Sequence, residues 1–274
     1  MATTNFLRIW VMGDIHGSIL PIENFIQRNK DFFTFSPETD CIILLGDVGA
    51  NYYLNSRDDK FKKKLNNFPF TFFCIRGNHE SRIADVVKSA PNNWNVEIFW
   101  GNFVYTEDKY PNIKYAIDRP SIYDIKENEI IYRTLIVPGA YSVDKYYRLE
   151  MGWRWFENEQ LTQGEMEKGR ELCRKCNNKF DIVLSHTCPI CYEPTDLFIP
   201  MIDQSLIDKT MERYLGEIEF KIDYKLWLWG HYHAYRRYPM NEEDKLRVML
   251  SAGEEAVKLN DLMANNRRTR ESIY

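Results

Sequence analysis

The chain carries five histidines, His16, His79, His186, His231 and His233, and each stands in a turn directly after an apolar run. Asp14 and His16 follow the run Leu7 to Met12 within Gly13-Asp14-Ile15-His16-Gly17, and Asp47 ends the run Asp40-Cys41-Ile42-Ile43-Leu44-Leu45-Gly46-Asp47. Asn78 and His79 follow Phe70 to Ile75, His186 follows Asp181 to Ser185, and Lys225 to Trp229 lead into Gly230-His231-Tyr232-His233. Aspartate offers anionic oxygen and histidine neutral nitrogen, donors that suit a hard or borderline divalent cation. One such residue in one turn is better read as a local hydrogen-bond acceptor or a satisfied core group. The same grouping after five apolar runs is not explained that way. With Asp14, Asp47 and Asn78 the histidines make a mixed oxygen and nitrogen set large enough for two metal ions, with one carboxylate available to bridge them.

The apolar runs read as buried strands, which puts each candidate ligand at a strand's C-terminal end, where open α/β sheets hold their ligands. Helices are expected after the first three strands. One has Ser18 as its cap, Pro21 in its first turn and Ile19, Ile22, Phe25 and Ile26 on one face; the others centre on Phe61 and Leu65, and on Ile83, Val86 and Val87. The middle of the chain is β-rich, with strands expected over Val96 to Tyr105, Ile113 to Ile117, Ile122 to Ile125 and Ile130 to Val137, and a hairpin turn at Lys126-Glu127-Asn128-Glu129. These are assigned to a second sheet packed against the first. Pro138-Gly139-Ala140-Tyr141 ends the last of them. Thr162 and Glu165 form a capping box for a helix bearing Cys173 and Cys176, a further helix is expected from near Asp203, and strands around Tyr235 to Tyr238 and Leu246 to Leu250 close the fold. Without internal repeats or a linker, residues 1–274 are expected to form a single domain, with a C-terminal tail from about residue 254.

At 274 residues with 44% apolar and 15% aromatic content, the chain can bury one substantial core. No stretch approaches the roughly 18 consecutive apolar residues of a membrane span, and Met1 to Asn5 lack a signal-peptide pattern. A soluble cytoplasmic protein with no membrane partner is expected. The net charge of −4 argues against a generally basic nucleic-acid surface; Arg267, Arg268 and Arg270 make the end locally basic and read as a solvated terminus. The pairs Cys173-x-x-Cys176 and Cys188-x-x-Cys191 resemble a zinc ribbon, but their spacer is short and contains the apolar run ending at Ser185. Met166, Gly169, Cys173 and Cys176 also share one helix face, which favours free thiols in a reducing compartment over structural zinc.

Taken in order, Gly13-Asp14-Ile15-His16, Gly46-Asp47, Gly77-Asn78-His79-Glu80, His186 and Gly230-His231-Tyr232-His233 resemble the five blocks of the calcineurin-like metallophosphoesterases. The resemblance implies a four-layer α-β-β-α sandwich of two mixed sheets flanked by helices. It also implies two divalent metal ions, manganese first, with iron, zinc or nickel as alternatives. Asp14, His16, Asp47 and His233 would ligate one, and Asp47, Asn78, His186 and His231 the other. His79 would face the leaving group as general acid or as a hydrogen-bond donor to the phosphate, and the implied reaction is direct attack on phosphorus by a hydroxide bridging the metals.

The pattern also departs from one branch of that family. The protein Ser/Thr phosphatases continue the second block with an Asp and an Arg, where this chain has Ala50 and Asn51. The segments 138–148 and 203–205, with the turn His186-Thr187-Cys188-Pro189, look more similar to uncharacterised phosphoesterases of bacteria and their phages. Substrate selection is expected in Gly139 to Trp155, where Arg148 or Lys145 offers charge for a phosphate and Tyr141, Tyr146 or Tyr147 a stacking face. The function these residues favour is hydrolysis of a phosphomonoester or phosphodiester in a phosphorylated small molecule, nucleotide or phosphoprotein. The rivals are a nuclease or cyclic-nucleotide phosphodiesterase on the same fold, and a metal-binding interaction scaffold with weak catalysis.

Overall fold

The computed structural model describes residues 5–200, 202–238, 245–251 and 256–264. In chain order its elements are β1 (Arg8–Met12), α1 (Leu20–Asn29), β2 (Asp40–Leu44), α2 (Ser56–Asn66), β3 (Thr71–Cys74), α3 (Ile83–Ser89), β4 (Trp94–Phe99), β5 (Asn102–Glu107), β6 (Ile113–Ala116), β7 (Ser121–Glu127) and β8 (Ile130–Val137). They continue with α4 (Lys145–Glu150), α5 (Gln163–Lys175), β9 (Ile182–Ser185), α6 (Thr210–Lys221), β10 (Leu226–Trp229), β11 (Arg236–Tyr238), β12 (Leu246–Met249) and β13 (Val257–Lys258).

The apolar runs are continuous because the central strands are covered on both faces, and the alternation of their side chains sorts the core into layers. Ile9 and Val11 of β1, Cys41 and Ile43 of β2, Ile182 and Leu184 of β9 and Leu226 and Leu228 of β10 meet in one cluster between two sheets. The alternate residues face outward. Trp10, Met12, Ile42 and Leu44 pack with Ile22 and Phe25 of α1, Phe61 and Leu65 of α2 and Ile83 of α3. On the other side Val183, Trp227 and Trp229 pack with Met166 and Cys173 of α5 and Met211, Leu215 and Ile218 of α6. The result is the expected sandwich of helices, sheet, sheet and helices.

One sheet has seven strands in the order β13-β1-β2-β3-β6-β5-β4 and the other six in the order β11-β12-β10-β9-β8-β7. β1, β2, β3 and β6 run parallel, as do β12, β10, β9 and β8, and antiparallel strands flank both sets. This corrects the assignment of the middle strands. β6 is not in the second sheet but pairs with β3 through Phe72↔Ile113 and Cys74↔Tyr115, and β4 and β5 extend the same first sheet; β7 and β8 alone go to the second. The stretch expected as one strand over 96–105 is a hairpin folded at Trp100 and Gly101, both with positive φ (49° and 78°). The turn after β7 is where it was expected, with Asn128 and Glu129 at φ 49° and 67°.

Two further boundaries differ. Asp203 caps only a 3-10 turn, Gln204–Leu206, and α6 begins at Thr210. The chain does not become a tail at 254. β13 pairs with Trp10 and Val11 of β1, and Leu259, Leu262 and Met263 enter the inter-sheet core; Arg267, Arg268 and Arg270 lie outside the described residues. The capping box of Thr162 and Glu165 is present at α5, whereas α1 starts with Ile19 at its cap and Ser18 Oγ accepting from Leu20 N at 3.3 Å. Cys173 and Cys188 are buried in the outer apolar cluster, Cys176 is half-buried and Cys191 exposed, and all six cysteines are free thiols. No described helix is long and apolar enough to cross a membrane.

Candidate metal centre

The turns after β1, β2, β3, β9 and β10 meet in one cleft at the C-terminal ends of the parallel strands of both sheets. They are locked to one another through their backbones. His16 N donates to Asp47 O at 2.7 Å, Gly17 N to Val48 O at 2.8 Å and Gly230 N to His186 O at 3.0 Å. Glu80, next to His79, accepts from Gly49 N at 2.9 Å and Gly77 N at 3.3 Å and so ties the second turn to the third; burial, with Asp47 adding, pushes its carboxyl up to about 7. The packing at the glycines is close. A Cβ on Gly46, whose φ is +105°, would stand 2.1 Å from His186 Nδ1, and one on Gly77 would stand 2.0 Å from Asp47 Oδ1. His16, Asp47, His231 and His233 are themselves left-handed, with φ of 45°, 48°, 70° and 53°. Non-glycine residues pay for that conformation, and it is concentrated here on the candidate ligands.

Side-chain geometry brings every predicted ligand to the cleft. Asp47 is buried, takes His79 N on Oδ1 at 2.8 Å and presents Oδ2 to three imidazoles: His186 Nε2 at 3.6 Å, His16 Nε2 at 3.9 Å and His79 Nε2 at 3.9 Å. Asp14 takes His231 N on Oδ2 at 2.7 Å, while its buried Oδ1 has no hydrogen-bond partner. His186 Nδ1 lies 2.7 Å from Leu45 O and donates to it, and Nε2, protonated in the imidazolium, donates to Asn78 Oδ1 at 2.8 Å. His16 Nε2 and His233 Nε2 are 2.8 Å apart, so their lone pairs converge unless one ring carries a proton there. Asp14, His16 and His233 form one group able to hold a metal ion, and Asp14, Asp47 and His186 another; no cysteine belongs to such a group among the described residues.

Protonation follows from burial and crowding. Burial, with Asp47 adding and His186 opposing, pushes Asp14 up to about 8. Burial also raises Asp47, but His186, His79 and His16 outweigh it and hold the carboxylate well below its ordinary range. His186 goes the other way, up to about 9, because Asp47 and Asp14 overcome its desolvation. Burial lowers His16, His231 and His233, which favours neutral, ligating imidazoles. These residues fit divalent cations: the Asp14 and Asp47 carboxylates lie among His16, His231 and His233, which burial keeps neutral, and a cation would displace the protons that Asp14 and His186 otherwise hold.

Two residues that the sequence did not single out orient Asn78. Ser142 Oγ accepts from Asn78 Nδ2 at 2.9 Å and donates to Glu159, whose other oxygen takes Ser142 N at 2.9 Å. That chain fixes the amide so that Oδ1 points toward His186. Their separations of 64 residues (Ser142 to Asn78) and 17 residues (Glu159 to Ser142) leave no local spacing signal.

Of the expected substrate contacts, Arg148 and Tyr141 line the cleft. Arg148 Nε pairs with Asp144 at 2.8 Å, Nη1 donates to Tyr52 OH at 3.1 Å and Nη2 reaches within 3.4 Å of His79 Nε2. Burial, then Arg148, pull His79 down to about 4 against Asp47. Lys145 instead lays its ammonium 4.1 Å from the ring centroid of Trp155, and Tyr146 and Tyr147 are exposed outside the cavities. Ala50 and Asn51 are buried. The guanidinium at this site thus arrives from α4, not from the turn after β2.

Among solved structures the chain is similar to TT1561 of Thermus thermophilus, with 16% identity and a TM-score of 0.54 over 94% of this chain and 96% of that one. It also aligns with the phosphopantetheinyl hydrolase PptH of Mycobacterium tuberculosis (13% identity, TM-score 0.41, 91% of each chain) and with GAP50, the anchor in the inner membrane complex of Plasmodium (12% identity, TM-score 0.49, 90% and 72%). At 16% identity the likeness to TT1561 speaks to the fold alone. No match is found among curated protein sequences. The sequence pattern of the calcineurin-like phosphoesterases matches residues 7–235, a span that runs from the start of β1 through both histidines after β10, and the chain belongs to that family.

Proposed function

We propose that the protein is a dinuclear metal-dependent phosphoesterase that hydrolyses phosphomonoester or phosphodiester bonds. The observation that carries this reading is that Asp14, His16 and His233 form one cluster and Asp14, Asp47 and His186 an overlapping one, each with its ligand atoms within 4.8 Å of one another. Asp14, His16, Asp47 and His233 would hold one cation and Asp47, Asn78, His186 and His231 the other. When bound, such a pair supplies Lewis-acid stabilisation of phosphoryl oxygens and a nucleophile from water at neutral pH. The donor set, oxygen and nitrogen without thiolate, suits manganese, with iron, zinc or nickel as the loadings to compare.

The chain's own residues do the positioning. Arg148, braced by Asp144 and Tyr52, places positive charge beside His79, where a phosphate oxygen would sit. His79, held by its backbone bond to Asp47 and kept neutral by burial and Arg148, is set to orient the phosphate and its leaving oxygen by hydrogen bonding. Arg148 would take the place of the phosphatase arginine absent after Asp47, for a phosphorylated small molecule, nucleotide or phosphoprotein.

Asp47→Asn tests the reading. Asp47 Oδ2 faces three imidazoles, so the variant is expected to lose bound metal, measured by elemental analysis, and to cut turnover of 4-nitrophenyl phosphate and bis(4-nitrophenyl) phosphate by more than about 10²-fold. Full metal content with full turnover would sink it.

A further inference from the structure

Two cavities open from the metal centre in different directions. Both are bounded by His16, Asp47, His79 and Arg148, and beyond those four residues their walls are unlike. The first, about 440 Å³, has an apolar wall of Val143, Leu197, Phe198, Ile199, Ile202 and Ile207. The second, about 650 Å³, is walled by Tyr52, Tyr53, Trp153, Arg57 and Arg154.

A phosphate centred on the shared residues has one neighbour of each kind. A monoester carries a single organic group and fills one cavity; a diester carries two and fills both. The second cavity has the parts that recognise a nucleoside, aromatic rings for the base and guanidinium donors for its carbonyl oxygens and sugar hydroxyls. Trp153 is 49% exposed and offers an aromatic surface to the cavity, and Tyr53, 39% exposed, is met edge-on by Tyr52 at 4.7 Å between centroids. The Arg57 guanidinium lies 4.9 Å from the Tyr53 ring centroid, and Arg154, whose charge is also felt at Asp58, lines the same cavity. The first cavity's apolar wall suits a largely hydrocarbon or aromatic group, with Gln204, Asp208, Lys209 and Glu212 at the same cavity to meet polar substituents on it. Arg148, anchored to Tyr52 on one side and Asp144 on the other, is the partition between them.

We propose that the substrate is an unsymmetrical phosphodiester, with its phosphate on the metal centre, a nucleoside arm in the Tyr53–Trp153 cavity and an apolar arm in the Leu197–Ile207 cavity. This rests on the phosphoesterase reading above. The water oxygen forms the new P–O bond and the ester bond to the apolar arm breaks. One water proton goes to the departing alcohol or phenol oxygen and the other to solvent, leaving a nucleoside monophosphate.

The metal-loaded protein is assayed with three substrates that release the same nitrophenolate: thymidine 5′-(4-nitrophenyl phosphate), bis(4-nitrophenyl) phosphate and 4-nitrophenyl phosphate. The nucleoside diester is expected to have a kcat/KM at least tenfold above either of the others. Trp153→Ala and Arg154→Ala, at exposed positions, are expected to raise its KM several-fold and to affect 4-nitrophenyl phosphate less. A kcat/KM as high for the monoester overturns the diester assignment, and one as high for bis(4-nitrophenyl) phosphate overturns the nucleoside arm. Turnover of none of the three overturns the phosphoesterase reading itself, and the substrate proposal with it.

Discussion

Asn78 shows how much of this centre depends on residues that ligate nothing. Its carboxamide has two ends, and only the oxygen is a metal donor; Ser142, itself held at both backbone and side chain by Glu159, fixes which end faces His186. Ser142→Ala is therefore expected to weaken metal affinity by about 10–100-fold while the fold persists, as found for outer-shell partners in general. Isothermal titration with Mn²⁺ measures it, and unchanged affinity would show that Asn78 needs no support. At this scale the ligands were legible in the sequence and their supports were not. Asp14, His16, Asp47, Asn78, His186, His231 and His233 announce themselves by type and by their place after apolar runs. Ser142 and Glu159 are ordinary polar residues whose contacts exist only once β8 and the segment before α5 are packed against the turn after β3.

Among the elements, β1 is bordered unevenly. β2 covers one side along its whole length, whereas β13 reaches only Trp10 and Val11, and the amide of Ile9 is satisfied by Glu127 at the end of β7, in the other sheet, at 2.9 Å. Glu127 is buried, which pushes its carboxyl up to about 7 against the backbone bonds from Ile9 and Asn260 and the charge of Lys258. An acid whose folded pKa is raised costs nothing below its unfolded value near 4.5, and the cost grows as pH rises through about 7. Glu127→Gln keeps an acceptor for Ile9. It is expected to match the parent in denaturant unfolding at pH 4.5 and to be more stable by about 1–2 kcal/mol at pH 8; a pH-independent difference would refute the assignment. Strands buried on both faces, such as β2 and β10, were readable because an unbroken apolar run ending in glycine has few other meanings. Sheet membership was not. The alternation in β6 is the same whether its neighbour is β3 or β8, and the bend at Trp100 and Gly101 that keeps β4 and β5 in the first sheet is a backbone choice with only one glycine to mark it. β13 is two residues long, too short to carry a period.

Across the whole molecule, the two sheets contribute to the centre jointly: β1, β2 and β3 bring Asp14, His16, Asp47 and Asn78, and β9 and β10 bring His186, His231 and His233. A cation held by both halves binds the folded chain and not the unfolded one, and at a free concentration one hundred times Kd such binding adds about 2.7 kcal/mol. Chelation is expected to lower the melting temperature of metal-loaded protein by about 5–10 °C by scanning calorimetry, with recovery on adding the metal back. An unchanged melting temperature would mean that the metal does not clamp the sheets together. The left-handed backbone at His16, Asp47, His231 and His233 acts in the opposite sense, as a standing cost of about 1–2 kcal/mol at each position. Against the roughly 5–15 kcal/mol by which domains usually hold together, that is a substantial liability. Its consequence is evolutionary. In metal-free protein His233→Asn, a residue more at ease at φ 53° and at a largely exposed position, is expected to unfold at a higher temperature than the parent while its metal-loaded form loses turnover. Heat resistance and catalysis are opposed at that position, and a lineage selected for robustness alone would drift toward an inactive protein with the same fold.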